Sequence, residues 1–123
     1  MVRQGAVLIV DDDEAMREAL ADILGDEGYQ TIEAASGSAA LAAMREPGRQ
    51  IALVLLDFVM PGMSGAGVIA EKMKDASIRD IPVILMTGFG KDEVDVDDGV
   101  VAIISKSTRT ESWLAMVKNL CKP

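Results

Sequence analysis

The chain reads as an α/β protein, with a doubly wound parallel sheet in one domain. Three observations carry that expectation. Short apolar runs rich in β-branched residues recur along the 123 residues, as strands buried on both faces do. Helix-like segments alternate with them, the pattern of βαβ units. The first and third runs also end on acids. Val7-Leu8-Ile9-Val10 meets Asp11, Asp12 and Asp13, and Leu53-Val54-Leu55-Leu56 meets Asp57. A side chain just past such a strand sits at the sheet's carboxyl edge, where open α/β sheets place their ligands.

The first strand is expected over Ala6 to Val10. A helix follows from Glu14 to Asp26, with Met16, Ala19, Leu20, Ile23 and Leu24 as its buried stripe. Gly25 and Gly28 sit where that helix should stop. Tyr29 to Glu33 is brief and partly polar, as an edge strand is. Ser38 to Met44 reads as the second helix, ended by Pro47-Gly48. Ile51 to Leu56 is the third strand, and Pro61-Gly62 with Gly65 marks a loop. Helix three covers Ala66 to Lys74. Ile81 to Met86 is strand four, with Pro82 near its start, where a missing N–H is tolerated. Val100 to Ile104 is strand five. The last helix spans Thr110 to Leu120, with Trp113, Leu114, Val117 and Leu120 facing inward. The stretch from Gly90 to Gly99 should hold the fourth helix. It is short, acidic and rich in Asp and Val, poor helix formers, so one or two turns are expected. No repeat, linker or second domain is visible.

Half of the residues are hydrophobic, enough for a proper core. The net charge of −8 and scattered Lys and Arg argue against direct binding to nucleic acid or anionic lipid. The single cysteine, Cys121, cannot form an internal disulfide, which suits a reducing cytoplasm. No apolar segment approaches the ~20 residues of a membrane span, and no signal peptide is visible.

Carboxylates gathered at adjoining strand ends repel one another unless a cation joins them. Oxygen ligands of this kind imply a hard divalent metal. Taken singly, each residue has an ordinary reading. Asp13 caps or begins the first helix and does not count as a ligand. Asp57 alone is a turn acid, Thr87 a turn hydroxyl and Lys106 a surface lysine. Their joint placement at four strand ends favours a site. The acids from Asp92 to Asp98 lack the alternating oxygens and closing Glu of an EF-hand and read as solvated surface. The eight methionines read as adaptable packing.

Four words of the sequence belong together: Ile9-Val10-Asp11-Asp12-Asp13, Leu56-Asp57-Phe58-Val59-Met60-Pro61-Gly62-Met63-Ser64-Gly65, Met86-Thr87-Gly88 and Ser105-Lys106. On a five-unit β/α alternation they resemble the receiver domain of two-component response regulators, over nearly the whole of residues 1–123. The resemblance implies a flavodoxin-like strand order, 2-1-3-4-5. It implies that Asp57 is the phosphoacceptor, taking a phosphoryl group from a phosphohistidine of a histidine kinase or histidine phosphotransfer domain. Asp12 would ligate Mg²⁺ directly, Asp11 through metal-bound water, and Val59 through its backbone carbonyl. Lys106 and Thr87 would hold the phosphoryl oxygens. Such a domain is not an enzyme in the ordinary sense, although it assists its own phosphorylation and dephosphorylation.

Several positions depart from the family pattern. Ser107 stands where a cis-proline usually follows the lysine. A cis bond to a non-proline residue costs ~3 kcal/mol, so a trans bond is expected. Ile103 replaces a usual Phe or Tyr and lacks its rotamer switch. Val59 and Phe89 are apolar and cannot orient a hydrolytic water, which implies a long-lived phosphoryl form. Gly88 leaves space for the phosphoryl group. The words around Met60 and Thr87 also resemble receivers fused to hybrid histidine kinases. An alternative is a pseudo-receiver that binds partners without switching. A flavodoxin-like cofactor protein is disfavoured, because the first strand leads into acids and not a phosphate loop.

Overall fold

The computed structural model describes residues 3–88 and 99–123. The elements run β1 (Arg3–Gln4), β2 (Ala6–Val10), α1 (Glu14–Asp26), β3 (Thr31–Ala34), α2 (Gly37–Arg45), β4 (Ile51–Asp57), α3 (Gly65–Met73), β5 (Val83–Thr87), β6 (Val100–Ser105), α4 (Thr110–Leu120) and β7 (Cys121–Lys122). Five strands form one parallel sheet in the order β3-β2-β4-β5-β6. Counting only these five, that is the expected order 2-1-3-4-5. The shortened fourth helix expected before Val100, like Phe89, lies outside the described residues.

Helices pack on both faces of the five-stranded sheet, and the core divides accordingly. Leu8, Val10, Val54, Leu56 and Leu85 pack on the α2–α3 side. Val7, Ile9, Leu53, Leu55 and Ile84 pack on the other, against Leu20, Leu24, Trp113 and Val117. Alternate residues of one strand therefore enter opposite cores, so β2 and β4 are apolar throughout. All seven residues of β4 are buried. Each large aliphatic side chain there contributes roughly 1.5–3 kcal/mol.

Three helices begin on a side-chain cap. Asp13 accepts from the amides of Ala15 and Met16, Ser36 from that of Ala39, and Ser64 from that of Gly67. Asp13 is thus the cap that the sequence implied. Helix α1 has the expected bounds, but Gly25 lies inside it. The chain turns at Gly28, whose φ of 92° suits glycine. On the expected stripe of α1, Leu20 and Leu24 are buried and Ala19 is exposed. Ala19 sits at the margin of the apolar stripe. In α4, Trp113 and Val117 are buried, whereas Leu114 and Leu120 are half-buried.

The sequence did not announce one feature. β1 and β7 form a separate two-stranded parallel pair that joins Arg3 to Cys121 and Gln4 to Lys122. The Tyr29 hydroxyl, buried, donates to the Cys121 carbonyl at 2.6 Å. Gly5 turns the chain from β1 into β2 at φ 142°, and a Cβ there would stand 2.8 Å from the Gln50 carbonyl oxygen.

Candidate functional site

Parallel register brings the site together. Val10 pairs with Leu56, Asp57 with Met86, and Thr87 with Ser105. The carboxyl ends of β2, β4, β5 and β6 therefore finish nearly level. They present Asp11 and Asp12, Asp57, Thr87 and Lys106. Gly65 lets the chain after β4 fold back closely, since a Cβ there would lie 2.9 Å from the Asp57 carbonyl oxygen.

Asp11, Asp12 and Asp57 each offer a carboxylate oxygen within 4.8 Å of the other two. Asp11 is fully buried, Asp57 is 2% exposed, and Asp12 faces solvent. Lys106 Nζ bridges the buried pair, 3.1 Å from Asp11 Oδ2 and 3.2 Å from Asp57 Oδ2. Asp11 Oδ1 accepts from the Asp13 amide at 2.9 Å, and Asp57 Oδ1 from the Val59 amide at 3.3 Å. Burial and the neighbouring Asp11 carboxylate push the Asp57 carboxyl up to about 6, against the pull of Lys106 and the Val59 amide. Lys106 is held above its ordinary value by hydrogen bonds and charge from Asp11 and Asp57, which outweigh its desolvation.

One cation thus serves two buried carboxylates, and the third acid lies beside them. Asp11 Oδ2 is buried and has its ion pair to Lys106 but no hydrogen bond of good geometry. An all-oxygen donor set with such an oxygen fits a hard divalent cation.

Thr87 is buried at the end of β5, and its hydroxyl donates to the Ile104 carbonyl at 3.4 Å. Among the described residues, nothing lies within 4 Å of a Cβ built on Gly88. Val59 is 71% exposed beside Asp57. No peptide bond among the described residues is cis, so Lys106–Ser107 is trans, as Ser107 implied. A hydroxyl network shapes this turn. The Ser107 amide donates to Ser105 Oγ, and the Ser105 amide to Thr108 Oγ1, both at 3.1 Å. Sequence reasoning missed that network, although three hydroxyl residues around one lysine were its signal. It also missed Arg17, whose Nη1 donates to the Asp11 carbonyl at 2.8 Å. Its position in the second turn of a helix that starts at the acids was the only clue.

A family model described as the response regulator receiver domain matches residues 7–118. The chain belongs to that family. It is a receiver domain of two-component signalling, a signalling module and not a classical enzyme. The chain is 33% identical to the polar-differentiation response regulator DivK of Brucella ovis, over 93% of this chain and 94% of that one. It is 31% identical to the phosphate regulon transcriptional regulatory protein PhoB of Escherichia coli, over 91% of this chain. It spans only about half the length, 49%, of PhoB. Among solved structures it resembles the response regulator TrrA of Thermotoga maritima in complex with Mg²⁺ and BeF. That likeness has a TM-score of 0.80 and 30% identity, covering 96% of this chain and 98% of that one. A receiver domain of a signal transduction histidine kinase from Syntrophus aciditrophicus superposes at a TM-score of 0.82. It is 28% identical, with 94% and 88% of the two chains covered. Among the described residues, no helix is long and apolar enough to cross a membrane.

Proposed function

We propose that this receiver works in the cytoplasm and accepts a phosphoryl group on Asp57 from a phosphohistidine of a histidine kinase or histidine phosphotransfer domain. It would do so with Mg²⁺ bound, and signal through altered protein contacts. The observation that carries this reading is the buried Asp11–Lys106–Asp57 bridge with Asp12 at its side. Three carboxylates and one ammonium leave excess negative charge at a strand edge, which a dication and an incoming phosphoryl group would reorganise.

Asp11, Asp12 and Asp57, with the Val59 backbone carbonyl, would hold the metal. When bound, Mg²⁺ supplies charge neutralisation between nucleophile and phosphoryl group. The remaining work falls to the chain's own side chains. An Asp57 carboxylate oxygen attacks phosphorus as the P–N bond to the donor histidine breaks. The imidazole leaves with the bonding pair and takes up a proton. Lys106 would shift from the carboxylates toward the phosphoryl oxygens, a point charge suited to phosphate. The Thr87 hydroxyl would turn from the Ile104 carbonyl to donate to one of them. The net charge of −8 opposes direct contact of this domain with nucleic acid.

Intact mass after incubation with acetyl phosphate and Mg²⁺ tests the reading, with a phosphohistidine donor as a second source. One added phosphoryl group on the wild type and none on Asp57→Ala is the expected result. Phosphate retained on Asp57→Ala at the same stoichiometry would overturn the assignment. A wild type inert to both donors would favour the pseudo-receiver.

A further inference from the structure

We propose that Arg17, anchored by Glu33, is a positioning residue for the metal ligands, holding the Asp11–Asp13 turn in its binding geometry. This rests on the reading of Asp11, Asp12 and Asp57 as a Mg²⁺ site. The Arg17 side chain bonds the Asp11 carbonyl and pairs with Glu33, and not with the carboxylate oxygens of that cluster. Its side chain is only 14% exposed and lies across the ends of two strands. Nη1 donates to the Asp11 carbonyl at 2.8 Å, and Nε stands 3.4 Å from Glu33 Oε1 on β3. Nε is buried without a hydrogen bond of good geometry, so the Glu33 ion pair is its compensation.

Besides the Asp13 cap and the Lys106 ion pair, two backbone amides hold the turn that it grips. The Asp11 amide donates to the Ala34 carbonyl at 3.2 Å, and the Asp13 amide to Asp11 Oδ1 at 2.9 Å. The second of these sets the rotamer of Asp11 and so the direction of Oδ2. A guanidinium on the Asp11 carbonyl fixes the peptide plane between the two ligands Asp11 and Asp12. A planar guanidinium with one hydrogen bond at the end of β2 and one ion pair on β3 does this better than a single flexible ammonium.

Charge and geometry pull the outcome in opposite directions, which makes the proposal testable by sign. A fixed cation beside three carboxylates weakens their attraction for a dication. If Arg17 acted by charge alone, removing it would tighten Mg²⁺ binding. If it positions the ligands, removing it weakens binding, as losing an outer partner of a metal ligand does by about 10- to 100-fold.

The experiment is calorimetric Mg²⁺ titration of the full chain, well below the thermal midpoint, with amide exchange of Asp13 in the metal-free protein. Arg17→Met is expected to bind Mg²⁺ about 10- to 100-fold more weakly and to exchange the Asp13 amide faster. Arg17→Lys should recover part of the affinity, and Glu33→Gln should show a smaller loss of the same sign. Equal or tighter binding by Arg17→Met would overturn the proposal. A merely structural Arg17 would lower the midpoint and leave the affinity where it was. Should Arg17→Met fail to fold, unchanged affinity and Asp13 exchange in Glu33→Gln would overturn it. A wild type that binds no Mg²⁺ sinks the site reading as well. A wild type that binds it as tightly as both variants sinks only this inference.

Discussion

At the carboxyl end of the sheet, two buried carboxylates share one lysine beside a third acid, and one of the pair is pushed up to about 6. At the amino end, β1 and β7 pair the two ends of the chain, and the buried Tyr29 hydroxyl closes on the Cys121 carbonyl. The five-stranded sheet supplies the first end, and the separate β1–β7 pair closes the second. One end keeps like charges close together in a poorly hydrated place, against stability. At the other, the buried Tyr29 hydroxyl has its carbonyl partner and, among the described residues, no like charges are forced together in the interior. Functional sites are drawn from such unfavourable arrangements, and the rest of the fold must offset them. Substitutions should therefore have opposite effects at the two ends. Removing a group at the amino end should destabilise without touching the metal response. Removing one of the clustered carboxylates at the carboxyl end should stabilise while abolishing it.

The largest effect is expected at Gly5. Alanine there meets both a φ of 142° and a Cβ 2.8 Å from the Gln50 oxygen. Gly5→Ala should cost about 3 kcal/mol in urea unfolding, with Mg²⁺ affinity unchanged in the folded protein.

Asp57→Asn tests the opposite end. Between pH 3.8 and about 6, the folded protein keeps a proton on Asp57 that the unfolded chain has released. The group's penalty is therefore absent below the unfolded value and complete above the folded one. In metal-free protein, wild type and variant should be equally stable near pH 3.5. The variant should pull ahead as pH rises, by on the order of 1–2 kcal/mol at pH 7 once water around the cluster is allowed for. A wild type that gains on the variant with rising pH would contradict the strain at this end.

Tyr29→Phe removes one buried hydrogen bond and should cost about 1–1.5 kcal/mol, because the Cys121 carbonyl loses its hydroxyl partner. Faster amide exchange across β1 and β7 should accompany that loss. Smallest of all is Lys118→Ala, which breaks an exposed pair to Glu27 and should change stability by less than about 0.5 kcal/mol.

Much of the sheet was legible because burial on both faces leaves continuous apolar runs. β2 and β4 show this, and Asp57 follows from where β4 ends. The start of α1 was legible in the capping acid Asp13. Other features depend on contacts distant in sequence. β1 and β7 are two residues each, too short for any periodicity. They are specified by Tyr29 meeting Cys121, 92 positions away. Ala19 has the right spacing for a buried stripe, but only packing decides how wide that stripe is. The family resemblance implies a phosphate role for Lys106, yet sequence says nothing of where its side chain rests. In the structure it lies on Asp11 and Asp57. Arg17 belongs to the same class, since an arginine in a helix carries no mark of the carbonyl it will find.

The contrast between the two ends reduces to one question: whether the acids at the carboxyl end are there for a cation. The direct measurement is the thermal midpoint of wild type and Asp12→Asn across a Mg²⁺ titration at neutral pH. Metal that binds only the folded state should raise the wild-type midpoint progressively with free Mg²⁺, and Asp12→Asn should lose most of that rise. A wild-type midpoint indifferent to millimolar Mg²⁺ would contradict a cation site at Asp11, Asp12 and Asp57.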